Sequence, residues 1–277
     1  MISVVIPSLG GDLSNTFTSI NSGSVIPDEI IVCLPNKNHS IVSPHNSYKN
    51  ISIVYSDAYG QVKQRIYGFN IAKGDYVLQL DDDIIVSIDC LKDLVNSMIK
   101  AGGNVSVSPC WYNVVDNKPL HQSKNKGIFM LFYYWIINGR DGYKSGKISL
   151  AGTNFGVNPN DINENKVYVD WQPGGCILHK KKNIILNNYY PFSGKAYCED
   201  IVHSFLLRQS GVSLIVNTEA KCLTQTNERL NLKREIIPMI KQRRYFARLA
   251  NLSVFRMSVY FSVYIIKSFF IYIKLIR

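Results

Sequence analysis

Three consecutive carboxylates, Asp81-Asp82-Asp83, close the apolar run Tyr76-Val77-Leu78-Gln79-Leu80 and are followed at once by Ile84-Ile85-Val86. Adjacent carboxylates repel one another, and desolvating them is costly unless a cation or hydrogen-bond donors compensate. A strand that ends in such a cluster is built to hold something positive. Hard divalent ions, Mg²⁺ or Mn²⁺, take oxygen ligands and commonly share them with a diphosphate. The competing reading is a solvated acidic turn, which rarely lies between two apolar runs.

The preceding chain gives the triad a setting. Ile2 to Ser8 reads as a short buried strand stopped by Pro7, Asp28 to Pro35 as a second, and Ile51 to Tyr55 as a third. Gly60 to Ala72 has helical character, with Val62, Ile66, Phe69 and Ala72 inward. Strands alternating with helices predict an α/β fold with a mostly parallel central sheet flanked by helices. Ligands of such sheets bind at the carboxyl ends of the strands, where the triad lies.

These segments resemble a family. IPSLGG, PDEIIVCLPN and YGQVKQRIYGFNIAKGDYVLQLDDD are similar to the nucleotide-sugar half of a family 2 glycosyltransferase of the GT-A fold. Downstream, Gly174-Gly175-Cys176-Ile177-Leu178 resembles the family's acceptor segment. Glu199-Asp200, with Arg208 and Gly211 after it, resembles its E-D-x-x-x-x-x-R-x-x-G helix. The resemblance covers about residues 1–220, with about 115 residues between the two carboxylate motifs. A D-x-D pattern alone is weak; the ordered set is stronger.

The resemblance implies roles. Pro7, Ser8, Arg65, Asp81 and Asp82 would contact the donor, a UDP-sugar. Asp83 and Asp81 would bind Mn²⁺ or Mg²⁺. Asp200 would be the base that deprotonates the acceptor hydroxyl, with Glu199 binding the acceptor or supporting the base, and displacement would invert the anomeric centre. Trp171, Gly174 and Gly175, with Gln172, would line the acceptor pocket. Where family members often carry an Asp-Asp pair after the second strand, this chain has Leu34-Pro35, so base recognition passes to backbone groups or to Asp57. Bland readings stand beside these: Arg65 as an exposed helix residue, Trp171 as core, and Glu199-Asp200 as carboxylates favoured at a helix N-terminus.

The charge is segregated. Residues 228–277 hold eleven basic and two acidic residues, whereas residues 1–227 hold twenty and eighteen. This divides the chain into a catalytic domain, 1–225, and a basic amphipathic helical extension, 226–277. Within the first, residues 1–110 form the nucleotide-sugar half and 111–225 the acceptor half. In the extension, 230–250 reads as a basic helix containing Lys233, Arg234, Lys241, Arg243, Arg244 and Arg248. Residues 252–277 read as an apolar helix, on which Arg256, Lys267 and Lys274 fall within about 20° of one another and Arg277 about 60° away. A narrow basic stripe on an apolar helix fits a segment lying in the interface of an anionic membrane. Packing on the body or in a homo-oligomer is the alternative. The uncharged run Met257 to Ile266 is too short to span a bilayer. Nucleic acid is not expected as a partner, because the apolar density is too high for a phosphate-tracking surface.

Gly127 to Ile137, GIFMLFYYWII, is assigned to the core, with a membrane-facing patch as the alternative. Cys33, Cys90, Cys110, Cys176, Cys198 and Cys222 have no metal-like spacing and predict buried, reduced thiols in a cytosolic protein. No signal peptide is expected ahead of the first strand. Together with the extension, this predicts a peripheral protein on the cytoplasmic face of the membrane, acting on a lipid-linked (polyprenyl-diphosphate) saccharide of the O-antigen or capsule type. There is no Q-x-x-R-W signature of processive synthesis. A sugar-1-phosphate nucleotidyltransferase is the enzymatic alternative, but Pro7-Ser8-Leu9-Gly10-Gly11 is a poor phosphate loop. A non-catalytic scaffold with a degenerate transferase fold is the other.

Overall fold

A computed structural model describes residues 1–43, 45–121, 123–193, 195–225 and 232–276; the side chains of residues 45, 232–234 and 267–276 lie outside the description. The strands β1 (Ile2–Pro7), β2 (Glu29–Leu34), β3 (Ile51–Tyr55) and β4 (Tyr76–Leu80) are parallel, in the spatial order β3-β2-β1-β4. In β1, β2 and β4 successive residues point to opposite faces, and both faces are covered; β3, at the edge, is half-exposed. Val4, Ile6, Ile30, Val32, Leu78 and Leu80 pack against helices α1 (Ser14–Asn21) and α3 (Cys90–Ala101). Val5, Ile31, Cys33 and Val77 pack on the other face with Phe69 of α2 (Gln61–Ile71). Burial on both sides is why these strands read as unbroken apolar runs rather than alternating ones. Gly68 lets α2 come this close: a Cβ there would collide with Val5 Cγ1 and lie 2.7 Å from Cys33 Sγ.

Beyond β4 the sheet becomes mixed. Strands β5 (Ile85–Val86), β6 (Val105–Asn113), β7 (Lys166–Val169), β8 (Cys176–Lys180) and β9 (Ser213–Thr224) continue the order as β4-β8-β6-β9-β5, with β7 also on β9. β8 runs antiparallel to β4 and β6, whereas β6 and β9 are parallel. The expectation of a mostly parallel sheet therefore holds for the first four strands, whereas in the rest the pairing of β6 with β9 alone, among the described residues, is parallel. The reversal has a consequence for the site. An antiparallel β8 begins where β4 ends, with Cys176 opposite Leu80, so Gly174-Gly175 lie beside Asp81, whose N–H donates to the Gly175 carbonyl at 2.8 Å.

The helices of the second half depart further from expectation. In α4 (Ile128–Asn138), Tyr134, Ile137 and Asn138 are buried, with Met130, Tyr133 and Ile136 packed beside them, whereas Ile128, Phe129, Leu131, Phe132 and Trp135 face solvent, so only one face of the apolar run is core. Helix α6 (Leu232–Leu249) is seated on the preceding part of the chain rather than standing off it. Its Phe246 is fully buried among Trp171, Ile201 and Val202, the last two from α5 (Glu199–Gln209), and Gln242 and Arg243 are buried too. Met257 and Phe261 of α7 (Val254–Ile276) pack on Ala247 of α6, and Tyr260 joins the cluster around Tyr134 and Ile137. A domain boundary at 225 thus falls inside one packed unit. The side chains of Lys233, Arg234, Lys267 and Lys274, and all of Arg277, lie outside the described residues. Among the described residues, no helix is long and apolar enough to cross a membrane. All six cysteines are free and five are buried, Cys198 being intermediate.

Candidate active site

Helix α2 presents three polar side chains, at i, i+3 and i+4, to the carboxyl ends of the strands. Gln61 Nε2 donates to Asp81 Oδ1 at 2.8 Å. Gln64, buried, donates to the carbonyls of Ser8 (2.7 Å) and Cys33 (2.8 Å), tying the ends of β1 and β2 to the helix. Arg65, 1% exposed, donates through Nη2 to Asp81 Oδ1 (3.0 Å) and through Nη1 to Glu199 Oε1 (3.1 Å). Burial opposes the guanidinium charge, but the Glu199 and Asp81 carboxylates outweigh it and hold the group protonated. Arg65 is therefore neither an exposed helix residue nor a group open to a donor phosphate; it bridges the two carboxylate motifs.

The three aspartates diverge. Asp81 turns inward to Arg65 and Gln61 rather than lying with Asp83. Burial pushes its carboxyl up to about 6 against the opposing pull of Arg65 and Gln61. Asp82 Oδ2 accepts a 2.5 Å hydrogen bond from the Ser8 hydroxyl, and its carbonyl accepts one from Thr16 Oγ1 at 2.9 Å. Asp83 is exposed. Pro7, Ser8, Tyr59, Gln61, Gln64 and Asp82 line an open cleft of about 590 Å³, and Asp82 and Asp83 together line the neighbouring one. Asp57, exposed and at a positive φ of 51°, lines neither; Tyr59 and Gly60 reach the cleft from that loop instead.

Among the described residues, no three His, Cys, Asp or Glu side chains converge into a metal cage. A hard ion shared with a diphosphate needs only one or two protein carboxylates. Exposed Asp83, with Asp82 beside it, supplies that donor set, whereas Asp81 is taken up by Arg65 and Gln61.

The second half of the chain contributes the start of α5. Glu199 is 4% exposed and accepts hydrogen bonds from Arg65 and from the Tyr189 hydroxyl. Asp200 follows at the next helical position, its Oδ1 accepting from the Ile201 N–H at 2.9 Å. Burial and, after it, the neighbouring Glu199 charge push the Asp200 carboxyl up to about 6; Arg243 of α6 opposes them. Cys198, just before the pair, adopts φ 60°. A non-glycine residue in that region stores backbone strain, a device that clusters at functional turns.

Gly174 and Gly175 are pressed between the motifs. A Cβ on Gly174 would lie 3.1 Å from Glu199 Oε2 and 3.4 Å from Asp200 Cβ; one on Gly175 would lie 2.7 Å from the Trp111 ring and 2.8 Å from Asp81 Oδ2. Trp111 of β6 is thus the tryptophan beside the glycine pair, its half-buried ring leaving a buried Nε1 without a hydrogen-bond partner among the described residues. Trp171, 4% exposed, donates Nε1–H to the Phe155 carbonyl at 2.8 Å and packs under α6, so it has no open face for a sugar ring. Gln172 is likewise structural, donating to the carbonyls of Ser106 and Ile215. His203 is buried with its ring on Tyr189, and desolvation pushes it down to about 3, so it stays neutral and outside the acid–base set.

Trp111, Gln61 and Tyr189 are not expected at the site from the sequence, and Arg243 is expected only as a cation of the basic helix. Gln61 had a signal, its i, i+4 relation to Arg65 on the inward face of α2. The other three reach the site only through tertiary packing.

The model of the family described as "Glycosyl transferase family 2" matches residues 3–157, more than half of the chain. No curated protein matches it. Among solved structures, GalNAc-T7 with UDP, GalNAc and Mn²⁺ superposes with a TM-score of 0.54 at 15% identity, over 85% of this chain and 46% of that one. Residues 1–349 of S. aureus TarS, in complex with UDP-GlcNAc, superpose with a TM-score of 0.49 at 14% identity, over 88% of this chain and 64% of that one. The chain spans less than half the length of the GalNAc-T7 chain it resembles. The family match, the strand order and the two carboxylate motifs, one after β4 and one at the start of α5, lead to one assignment: the chain belongs to glycosyltransferase family 2 and has the GT-A fold.

Proposed function

We propose that this protein transfers a sugar from a UDP-sugar to a hydroxyl of a lipid-linked saccharide, with inversion, in the building of a surface polysaccharide of the O-antigen or capsule type. One observation carries the transferase reading. Asp81, Gly174-Gly175 and Glu199-Asp200, far apart in sequence, meet around the buried guanidinium of Arg65. The donor belongs in the cleft lined by Pro7, Ser8, Gln61 and Asp82. Asp83, with Asp82 beside it, would hold Mn²⁺ or Mg²⁺, which when bound supplies positive charge against the leaving diphosphate.

The chain's own residues account for the acceptor chemistry. A hydroxyl is a poor nucleophile at neutral pH, and a positioned base must take its proton as the new bond forms. Asp200 suits that role, because a carboxyl pushed up to about 6 is ionised at neutral pH yet more basic than an ordinary aspartate. Glu199, already holding Arg65 and Tyr189, acts as the fixed wall beside the base. Gly174 and Gly175 leave the room a Cβ would fill, and Trp111 offers an apolar ring next to it. UDP accompanies GalNAc and Mn²⁺ in the GalNAc-T7 structure, which makes UDP-sugars the first donors to try.

The test is thermal-shift titration with UDP-, GDP-, CMP- and dTDP-sugars and with nucleoside triphosphates, each with and without Mn²⁺. A ligand that binds only the folded state raises its stability by mass action. Metal-dependent stabilisation by one UDP-sugar is the expected result. Stabilisation by a nucleoside triphosphate alone, or by none of the panel, would sink the reading.

A further inference from the structure

We propose that the outward face of α4, together with α7 packed beside it, is a membrane-seating surface that lies in the interface of an anionic bilayer. Phe129 is 86% exposed, Ile128 78%, Phe132 61% and Trp135 54%, and on α7 Phe255 is 78% exposed. Phe132 and Trp135 stack one turn apart, 5.9 Å between ring centroids at 17°. Exposed apolar side chains elsewhere, such as Val42, Ile88 and Ile99, belong to other elements, whereas a contiguous apolar face of this kind marks an interaction surface. Eleven helical residues extend about 16 Å, roughly half a bilayer's hydrocarbon thickness, so the helix suits in-plane burial and not a crossing.

Charge selects the partner. From Asn117 to Arg140 there is no acidic residue, and Lys118, Lys124, Lys126 and Arg140 stand on either side of the apolar run. From Ile236 to the last residue there is again no acidic residue. Aromatic side chains bordered by exposed cations match the boundary between acyl chains and anionic headgroups. They do not match a second copy of the chain. A two-fold interface sets a patch against itself, and here it would set one rim of lysines and arginines against another.

The surface is tied to the catalytic body. Arg256 of α7 donates through Nη1 to the carbonyls of Trp135 (3.3 Å) and Ile136, closing the end of α4. α7 packs on α6, and Phe246 of α6 packs on α5, which carries Asp200. A bilayer seated on α4 is thus held at a fixed relation to the acceptor half. That purpose rests on the lipid-linked acceptor proposed above; the surface itself does not.

The experiment is co-flotation of the full chain with phosphatidylcholine vesicles, with and without phosphatidylglycerol, read also by quenching of tryptophan fluorescence by brominated lipid. Trp135 is the exposed tryptophan, since Trp171 is buried and Trp111 half-buried. The expected result is flotation that needs the anionic lipid, quenching by brominated chains, and a roughly tenfold or greater loss of partitioning in the double variant Phe129→Ser/Phe132→Ser. Unchanged flotation of a folded double variant would overturn the proposal, as would flotation of wild type without quenching. A concentration-dependent dimer that the same substitutions abolish would hand the surface to a second copy and overturn it too. Should the double variant misfold, quenching in the wild type decides. The donor thermal shift separates this idea from the functional reading. Flotation without any donor response leaves the surface and removes the transferase reading; a donor response without flotation does the reverse.

Discussion

Arg65 Nη1 lies 3.1 Å from Glu199 Oε1, with both side chains almost fully buried, and the same guanidinium reaches Asp81 Oδ1 at 3.0 Å. One cation therefore joins the donor-side carboxylate turn to the acceptor-side helix start. Two carboxylates this close would repel, and each would be costly to bury alone. The planar fork of Arg serves both at once, which the point charge of Lys cannot do with the same geometry.

Arg65→Met should consequently leave two carboxylates uncompensated. We expect a loss of about 3–5 kcal/mol in folding stability, the range for breaking a buried pair from one side. Arg65→Lys should recover part of the stability and little of the turnover. Urea unfolding at neutral pH checks the first expectation; equal midpoints for wild type and Arg65→Met would refute it.

Asp200→Asn removes the proposed base and keeps the shape. Turnover should fall roughly 10²–10⁴-fold, the usual contribution of a general base, while donor binding stays near wild type. For the wild type, kcat/KM should rise with pH through an inflection near 6 and level off above it, because only the ionised carboxylate accepts the proton. A pH profile flat between 5 and 7 would assign the base elsewhere.

Arg243 tests the same carboxyl from the other side. Its positive charge opposes the upward shift of Asp200, so Arg243→Gln should move the acid limb of the profile to higher pH. Arg243 also donates to the Gly152 carbonyl (2.8 Å) and Asn154 Oδ1 (3.2 Å), so the variant loses stability as well. The direction of the limb separates the two effects: a purely structural role lowers the plateau and leaves the inflection in place.

Much of this arrangement is legible in the sequence. Strands β1, β2 and β4 announce themselves because each is a local apolar run covered on both faces, bounded by Pro, Gly or Asp, and α2 does so through the helical spacing of Val62, Ile66 and Phe69. The carboxylate turn and the Glu199-Asp200 pair are readable because their residue types are rare in such settings. The bridge between them is not. Arg65 and Glu199 are 134 positions apart, and nothing local distinguishes a guanidinium turned to solvent from one buried between carboxylates. Trp111 takes the place expected of Trp171 for the same reason: an aromatic residue next to Gly-Gly in sequence looks like a pocket wall, but the strand order brings Trp111 there instead. Helices α4 and α6 fail in opposite directions. An apolar run suggests core, a basic amphipathic run suggests a membrane, and amphipathicity alone does not say what covers the apolar side.

The last prediction follows from α6. If residues 226–277 were only an attachment device, truncation after residue 225 would leave a folded domain that no longer floats with vesicles. The packing says otherwise. Phe246 is fully buried among Trp171, Ile201, Val202 and Phe205; Gln242 accepts from the Tyr190 hydroxyl, and its Nε2 donates to the Lys195 carbonyl at 3.2 Å. Removing the helix uncovers the hydrophobic support of α5 and, with it, Asp200. Phe246→Ala alone should cost about 3–5 kcal/mol, the range for deleting a buried aromatic ring. The truncated chain should be insoluble or fail to unfold cooperatively. Circular dichroism melts of the two variants decide the matter: a truncated protein that melts sharply near the wild-type temperature would show that α6 is an appendage after all.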